Sequence, residues 1–252
     1  MKGRAVLIRA GITAAFLGAF VLALWLSDYN FDFGAIWRYR ARYVEGLLRT
    51  ISATGVAFAV GIVLGVGVAL LRLSRRLAVR HIGDLYVEVV RGTPFLVQVW
   101  IAYFGIAPLL RLDNKFLVGS FALGVFAAAY MGEIFRAGIE SVDRGQVEAA
   151  RSLGLSRPQM LQYVVFPQAF KRMIPPLTGE LIALTKESSL LYAIGLVEMM
   201  AVAKEVGAAT YRTLEACLVV AALYLTLTVP LSLLARRLER RLKRSERSGV
   251  HL

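Results

Sequence analysis

The chain is organised around long apolar runs separated by short basic segments. Five runs hold no charged residue: 10–26, 50–71, 92–110, 116–132 and 216–235. A membrane-crossing helix needs about 20 predominantly apolar residues, within a range of about 17–25, and each run meets that need. A sixth run, 176–197, is apolar but contains Glu180, Lys186 and Glu187, which makes it the weakest span on hydropathy. The pattern predicts an all-α, polytopic membrane helix bundle of six spans.

Composition agrees with lipid as the solvent. Hydrophobic residues make up 58% of the 252, and mean hydropathy is +0.62, whereas a soluble domain is about 45–50% apolar. The net charge of +13 sits beside the apolar runs. It therefore speaks for anionic lipid and membrane orientation, not for nucleic acid. With the N-terminus in the cytoplasm, the inner segments collect Arg72, Arg75, Arg76 and Arg80, the basic residues of the longest loop, and the run from Arg236 to Arg247. The outer segments hold fewer, among them Arg38, Arg111 and Lys204. This asymmetry requires an even number of spans and puts both termini in the cytoplasm. The first run has a basic start like a secretory signal. It is long for one and no A-x-A precedes Ser27, so a retained anchor helix is expected. One cysteine, Cys217, and two distant histidines, His81 and His251, give no basis for a disulfide framework or a metal site.

Gly61 and Gly65 form a G-x-x-x-G on the second run, with Gly55, Ala57 and Gly67 nearby. Such spacing lets helices approach closely in lipid, and ordinary packing inside the bundle is the expected use. The longest cytoplasmic segment, 139–175, is patterned as structure. Asp143 is an N-cap for a helix through Gln146–Arg151, and Gly154 is its stop. Ser156, Arg157, Pro158 and Gln159 then fit a capping box with proline in the first turn. That second helix is expected to run towards Pro167.

At these residues the chain resembles a known family. Glu148-Ala149-Ala150, three residues, Gly154, nine residues, then Val164-Val165-Phe166-Pro167 is similar to the EAA loop of ABC importer permeases, E-A-A-x3-G-x9-I-x-L-P. The flanking Tyr130-Met131-Gly132-Glu133-Ile134-Phe135-Arg136-Ala137-Gly138-Ile139, Arg91-Gly92-Thr93-Pro94-Phe95-Leu96-Val97-Gln98, Phe166-Pro167-Gln168-Ala169-Phe170 and Lys186-Glu187-Ser188-Ser189-Leu190 resemble the polar amino-acid permeases of the histidine, glutamine and arginine type. The resemblance covers about Tyr43 to Arg241. It implies an N-terminal anchor helix and outer loop (1–43), a five-helix type I importer core (44–241) with its coupling loop at about 141–167, and a basic cytoplasmic tail (242–252).

The resemblance further implies that Glu148, Ala149, Ala150 and Gly154 couple the chain to a partner ATPase, the two alanines permitting close packing. No G-x-x-x-x-G-K-[ST] occurs in the chain, so no P-loop is present. ATP and Mg would belong to an ATPase dimer, this chain holding no cofactor and catalysing nothing itself. An extracytoplasmic solute-binding protein and a second permease subunit, identical or similar, would complete the assembly in a prokaryotic plasma membrane. Ionisable groups within spans are functional candidates by default. Glu133, Lys186 and Glu187 are therefore candidates for the solute path, with Glu180 ranked below them, and Gln98, a polar group on an otherwise apolar span, is a further candidate. For Glu133 a local ion pair with Arg136 is the competing use. A secondary transporter driven by an ion gradient is the alternative, but no internal repeat is visible and the helical insert has no role in one. A membrane enzyme would need a nucleophile–base or metal constellation, and none is visible.

Overall fold

The computed structural model describes residues 29–248, with side chains to residue 240 and at 242, together with a few single positions between 11 and 22. The first predicted span, 10–26, therefore lies outside the described residues apart from those positions. The described elements are helical throughout: α1 (Phe33–Trp37), α2 (Arg40–Arg72), α3 (Leu77–Gly92), α4 (Phe95–Leu109), α5 (Lys115–Glu140), α6 (Arg144–Ser152), α7 (Arg157–Met160), α8 (Phe166–Glu187), α9 (Met199–Thr210) and α10 (Thr213–Ser248). By length and composition α2, α5 and α10 are able to cross a membrane, and α3 with α4 makes a fourth crossing if that bent pair is one span. α8 has the length, at 22 residues, but Lys171, Arg172, Glu180, Lys186 and Glu187 keep its hydropathy low.

The bundle is built on α2 and α5. Both run in the same direction, and their contact is made by small residues. A Cβ added at Gly61 would lie 2.9 Å from the Ala127 Cβ, and one at Gly65 would lie 2.9 Å from the Met131 Cβ. From the other side, a Cβ on Gly124 would meet Val60 at 2.6 Å and the Ala57 carbonyl at 3.0 Å, and one on Gly132 would meet Val68 at 2.7 Å. The glycine spacing thus serves packing within the chain. Gly55 and Gly67 have nothing within 4 Å and take no part.

Several elements differ from their predicted form. α2 begins ten residues before the apolar run, and the boundary at 43/44 falls inside it. Its N-terminal turns are held by Arg42–Glu45 (2.6 Å) and Glu45–Arg49 (3.1 Å) pairs, and Arg42 reaches Glu205 of α9 at 2.7 Å. The predicted span 92–110 is not one helix. Thr93 is extended, at φ −119° and ψ 143°, as a residue before proline prefers, and α3 and α4 meet there at 103°. At about 1.5 Å per residue α4 alone is too short to cross. The Gln98 amide closes the break, donating to the carbonyls of Val90 (2.7 Å) and Thr93 (3.0 Å).

Pro167, towards which the second helix of the insert was expected to run, does not end it. α7, a π-helical turn at Leu161–Val165 and α8 form one continuous rod that passes through Pro175 and Pro176 and tightens into a 3-10 helix, Ser188–Ile194. The π turn gives Pro167 room, and the Gln168 side chain donates to the Val164 carbonyl at 3.0 Å. The segment after it is a helix too. α9 buries Met199, Val202 and Val206 completely. It is capped by the buried Glu198, which accepts from the N–H groups of Met200 (2.8 Å) and Ala201 (2.7 Å).

Gly124→Ala forces α2 and α5 apart and is expected to cost about 1–3 kcal/mol, seen as a lower thermal midpoint in detergent. Gly55→Ala meets open space, gains helix propensity, and is expected to hold or raise the midpoint. Equal midpoints for the two variants would refute the close-packed contact.

Candidate functional site

The insert between α5 and α8 is a small folded unit. α5 ends at Glu140, and Val142, 7% exposed, turns inward just after it. Arg172 of α8 donates to the Ser141 carbonyl. Asp143 then starts α6, its Oδ1 accepting from the Gly145 N–H at 2.8 Å. Gly154 ends α6 at φ +77°. The Leu155 N–H bonds the Ala150 carbonyl (3.2 Å) and the Gly154 N–H that of Arg151 (2.9 Å), which is the Schellman pattern. The Ser156–Gln159 capping box opens α7, with the Gln159 Oε1 accepting the Ser156 N–H at 2.9 Å.

This unit has an inner and an outer face. Ala150 is 3% exposed and Val147 is partly buried, so both are turned towards their own chain with Val165. The alanine expected to lie against a partner is therefore a packing residue of the insert itself. Glu148, Ala149, Arg151, Leu153 and Gly154 face outward. Leu153 is 82% exposed, a feature that the sequence does not mark, since a single leucine gives no periodic signal. Glu148 lies beyond the first turn of α6, too far along to serve its own helix N-terminus, whose field falls off within a turn.

Beside the insert, a cavity of about 380 Å³ opens between the C-terminal end of α3 and the facing sides of α5 and α8. Its polar lining comes from Arg91, Tyr130, Glu133, Ser141, Arg172 and Glu180. The Arg91 guanidinium lies over the Tyr130 ring at 5.1 Å. Glu133 is committed elsewhere: it pairs with Arg72 and Arg136, Arg72 also binds Asp84 at 2.7 Å, and Arg136 also binds Glu140 at 2.5 Å. This network joins α2, α3 and α5. Glu180 is half-buried and has no hydrogen-bonding partner among the described residues.

The four predicted path residues are not brought together. Glu133 reaches this cavity with its charge already matched. Gln98 lines a separate, apolar cavity of about 600 Å³ between α4 and α5, and its amide is used at the helix break. Lys186 is exposed and Glu187 half-buried beyond the cavity on the rod. Glu180, ranked below them, is the carboxylate that the cavity leaves available. Its seven-residue spacing from Glu187 was a signal for a shared face, but it could not tell which end of that face borders an opening.

Comparison with known proteins bears on these features. The family model described as "Binding-protein-dependent transport system inner membrane component" matches residues 61–244. The arginine transport system permease protein ArtQ of Bacillus subtilis is 38% identical over 218 residues, which is 86% of this chain and 100% of that protein. The glutamine transport system permease protein GlnP of Escherichia coli K12 is 36% identical over 217 residues, 85% of this chain and 99% of that one. A crystal structure of an amino acid ABC transporter with histidines superposes with a TM-score of 0.79 at 36% identity, covering 84% of this chain and 100% of that chain.

The ion network predicts a structural role for Glu133. Glu133→Ala leaves Arg72 and Arg136, with side chains 15% and 27% exposed, without their shared carboxylate. A fully buried orphaned charge costs about 3–5 kcal/mol. Partial exposure brings the expected loss to about 1–3 kcal/mol, measured as a fall in thermal midpoint. No change would mean that the network does not hold the helices.

Proposed function

Because the chain belongs to the family of binding-protein-dependent transport system inner membrane components, we propose that it is the permease subunit of an ATP-driven importer for polar amino acids, and that α6 is its contact with the ATPase. The observation that carries the reading is the two-faced insert. An exposed helix of nine residues is fixed to α5 at one end and to the α7–α8 rod at the other. Closure of an ATPase dimer around bound ATP and Mg pushes on the face of Glu148, Ala149 and Leu153. The push passes into α5 and α8, two of the helices that border the polar cavity. A gradient-driven carrier has no use for such a handle outside the lipid.

In this reading the insert and both termini are cytoplasmic, the turns after α4 and α9 are extracytoplasmic, and a second permease subunit of the same or similar kind completes the solute path. A zwitterionic amino acid needs a cation for its carboxylate and an anion for its ammonium group. Arg91 and Glu180 on the cavity wall supply the pair, and Lys186 with Glu187 extends it along the rod. The names of ArtQ and GlnP, arginine and glutamine systems, support a polar amino acid as the solute.

Gly154 tests the coupling. A side chain held in the left-handed region costs about 1–2 kcal/mol, most for a β-branched one, so Gly154→Val is expected to misaim α6 while the bundle inserts normally. In inside-out vesicles the variant should lose ATPase binding or amino-acid-stimulated hydrolysis, whereas Gly154→Asn, which tolerates this conformation, keeps most of both. Full binding and stimulation in the valine variant would remove the insert from the coupling role. For the path, Glu180→Gln and Glu187→Ala are expected to lower uptake by about tenfold or more, as loss of a charged partner does, with normal subunit recovery. Wild-type uptake in both would take these carboxylates off the path.

A further inference from the structure

Four described residues have positive φ: Arg111 (55°), Gly154 (77°), Gly195 (77°) and Tyr211 (58°). Three of them end a helix with the same pair of hydrogen bonds. At Gly154 these are Leu155 N–H to Ala150 and Gly154 N–H to Arg151, and at Gly195 they are Leu196 N–H to Leu191 and Gly195 N–H to Tyr192. At Arg111 they are Leu112 N–H to Ala107 (2.9 Å) and Arg111 N–H to Pro108 (3.1 Å). Glycine fills the position in the first two, as the conformation favours. The two non-glycine residues lie in the α4–α5 and α9–α10 turns, on the face opposite the insert. Both are exposed, Tyr211 at 92%. A side chain retained where glycine would relieve strain points to use of that side chain.

The Tyr211 turn is also held rigid from beneath. Glu215, 0% exposed, accepts from the Tyr29 hydroxyl (2.7 Å) and the Asp32 N–H (3.1 Å), and Arg212 lies 3.6 Å away. Arg212 also donates to the Asn30 carbonyl at 2.5 Å. The ring is thus presented on a fixed mount and packs on nothing of its own. Arg38, Arg111 and Lys115, on the same side of the bundle, make no ion pair among the described residues and outnumber Asp32 and Asp113, the carboxylates beside them that make none either, so this face fits a partner that is acidic.

We propose that Tyr211 and Arg111 are the docking contacts for the soluble binding protein, whose matching face offers an aromatic-accepting pocket and carboxylates. Tyrosine and arginine are the residue types that dominate such interfaces, and a fixed mount spares the entropy of ordering them. The inference rests on the importer reading above.

The test uses the assembled permease–ATPase complex and a soluble amino-acid-binding protein from the same cell, chosen because it stimulates wild-type hydrolysis. Tyr211→Gly and Arg111→Gly remove the side chain and the strain together. Expected are an unchanged or higher thermal midpoint, unchanged basal hydrolysis, and a half-saturating binding-protein concentration raised about fivefold or more. Tyr211→Phe should stay near wild type. An unchanged half-saturation in both glycine variants overturns the proposal, whatever the midpoint does. A loss seen only in bilayers and absent in detergent marks a lipid anchor and overturns it too. If no such binding protein stimulates the wild-type complex, the importer reading fails and takes this inference with it.

Discussion

The parallel contact between α2 and α5 is the constraint from which the rest of the arrangement follows. Apolar surface gives helices in lipid little reason to associate, so close van der Waals approach must supply it. The stripe of Gly61, Gly65, Gly124 and Gly132 lets the two backbones come within reach of each other's Cβ positions. Two helices running the same way need a chain that returns between them. That return is the bent pair α3 and α4, and its break at Thr93–Pro94 is stabilised by the Gln98 amide. The same geometry brings Arg72 at the end of α2 to Glu133 on α5, with Asp84 of α3 completing the set. Charges that hydropathy marks as unfavourable thereby hold three helices together.

The insert shows how one nine-residue helix can be both anchored and available. Its inward side is small, Val147 and Ala150, so it lies close on the rod. Its outward side is mixed, with a carboxylate, an alanine and an exposed leucine. In the proposed importer, that division separates residues that fix the handle from those that touch the motor.

What the sequence could and could not disclose follows the same physics. The runs at 50–71, 116–132 and 216–235 lie within α2, α5 and α10 because long charge-free stretches have few alternatives. Asp143, Ser156 and Gly154 were legible because capping is local. α3 and α9 were not, since each is short and is made stable by what it packs against. The rod escaped notice because proline ordinarily interrupts a helix. A π turn and the Gln168 side chain remove that penalty at Pro167, and no window statistic registers it. Glu198 and Glu215 lie outside every predicted span, yet both are fully buried; Glu198 caps its own helix locally, whereas Glu215 is satisfied by Tyr29 and Asp32, far along the chain and beyond any local reading. At the candidate site, the insert was readable in order and spacing. The cavity was not, because it exists only where three helices converge.

The continuous rod has a mechanical consequence. A helix is most easily bent where its hydrogen-bond ladder is interrupted, and in the rod that place is Pro175–Pro176. By helical rise, the stretch from Arg157 to that point measures roughly 27 Å, and the stretch from there to Glu187 roughly 18 Å. The paired prolines therefore divide the rod into a longer segment that carries the insert and a shorter one that carries Glu180, Lys186 and Glu187. In the proposed importer, a displacement beside α6 is absorbed as bending at that joint, so the short segment changes its tilt more than its position.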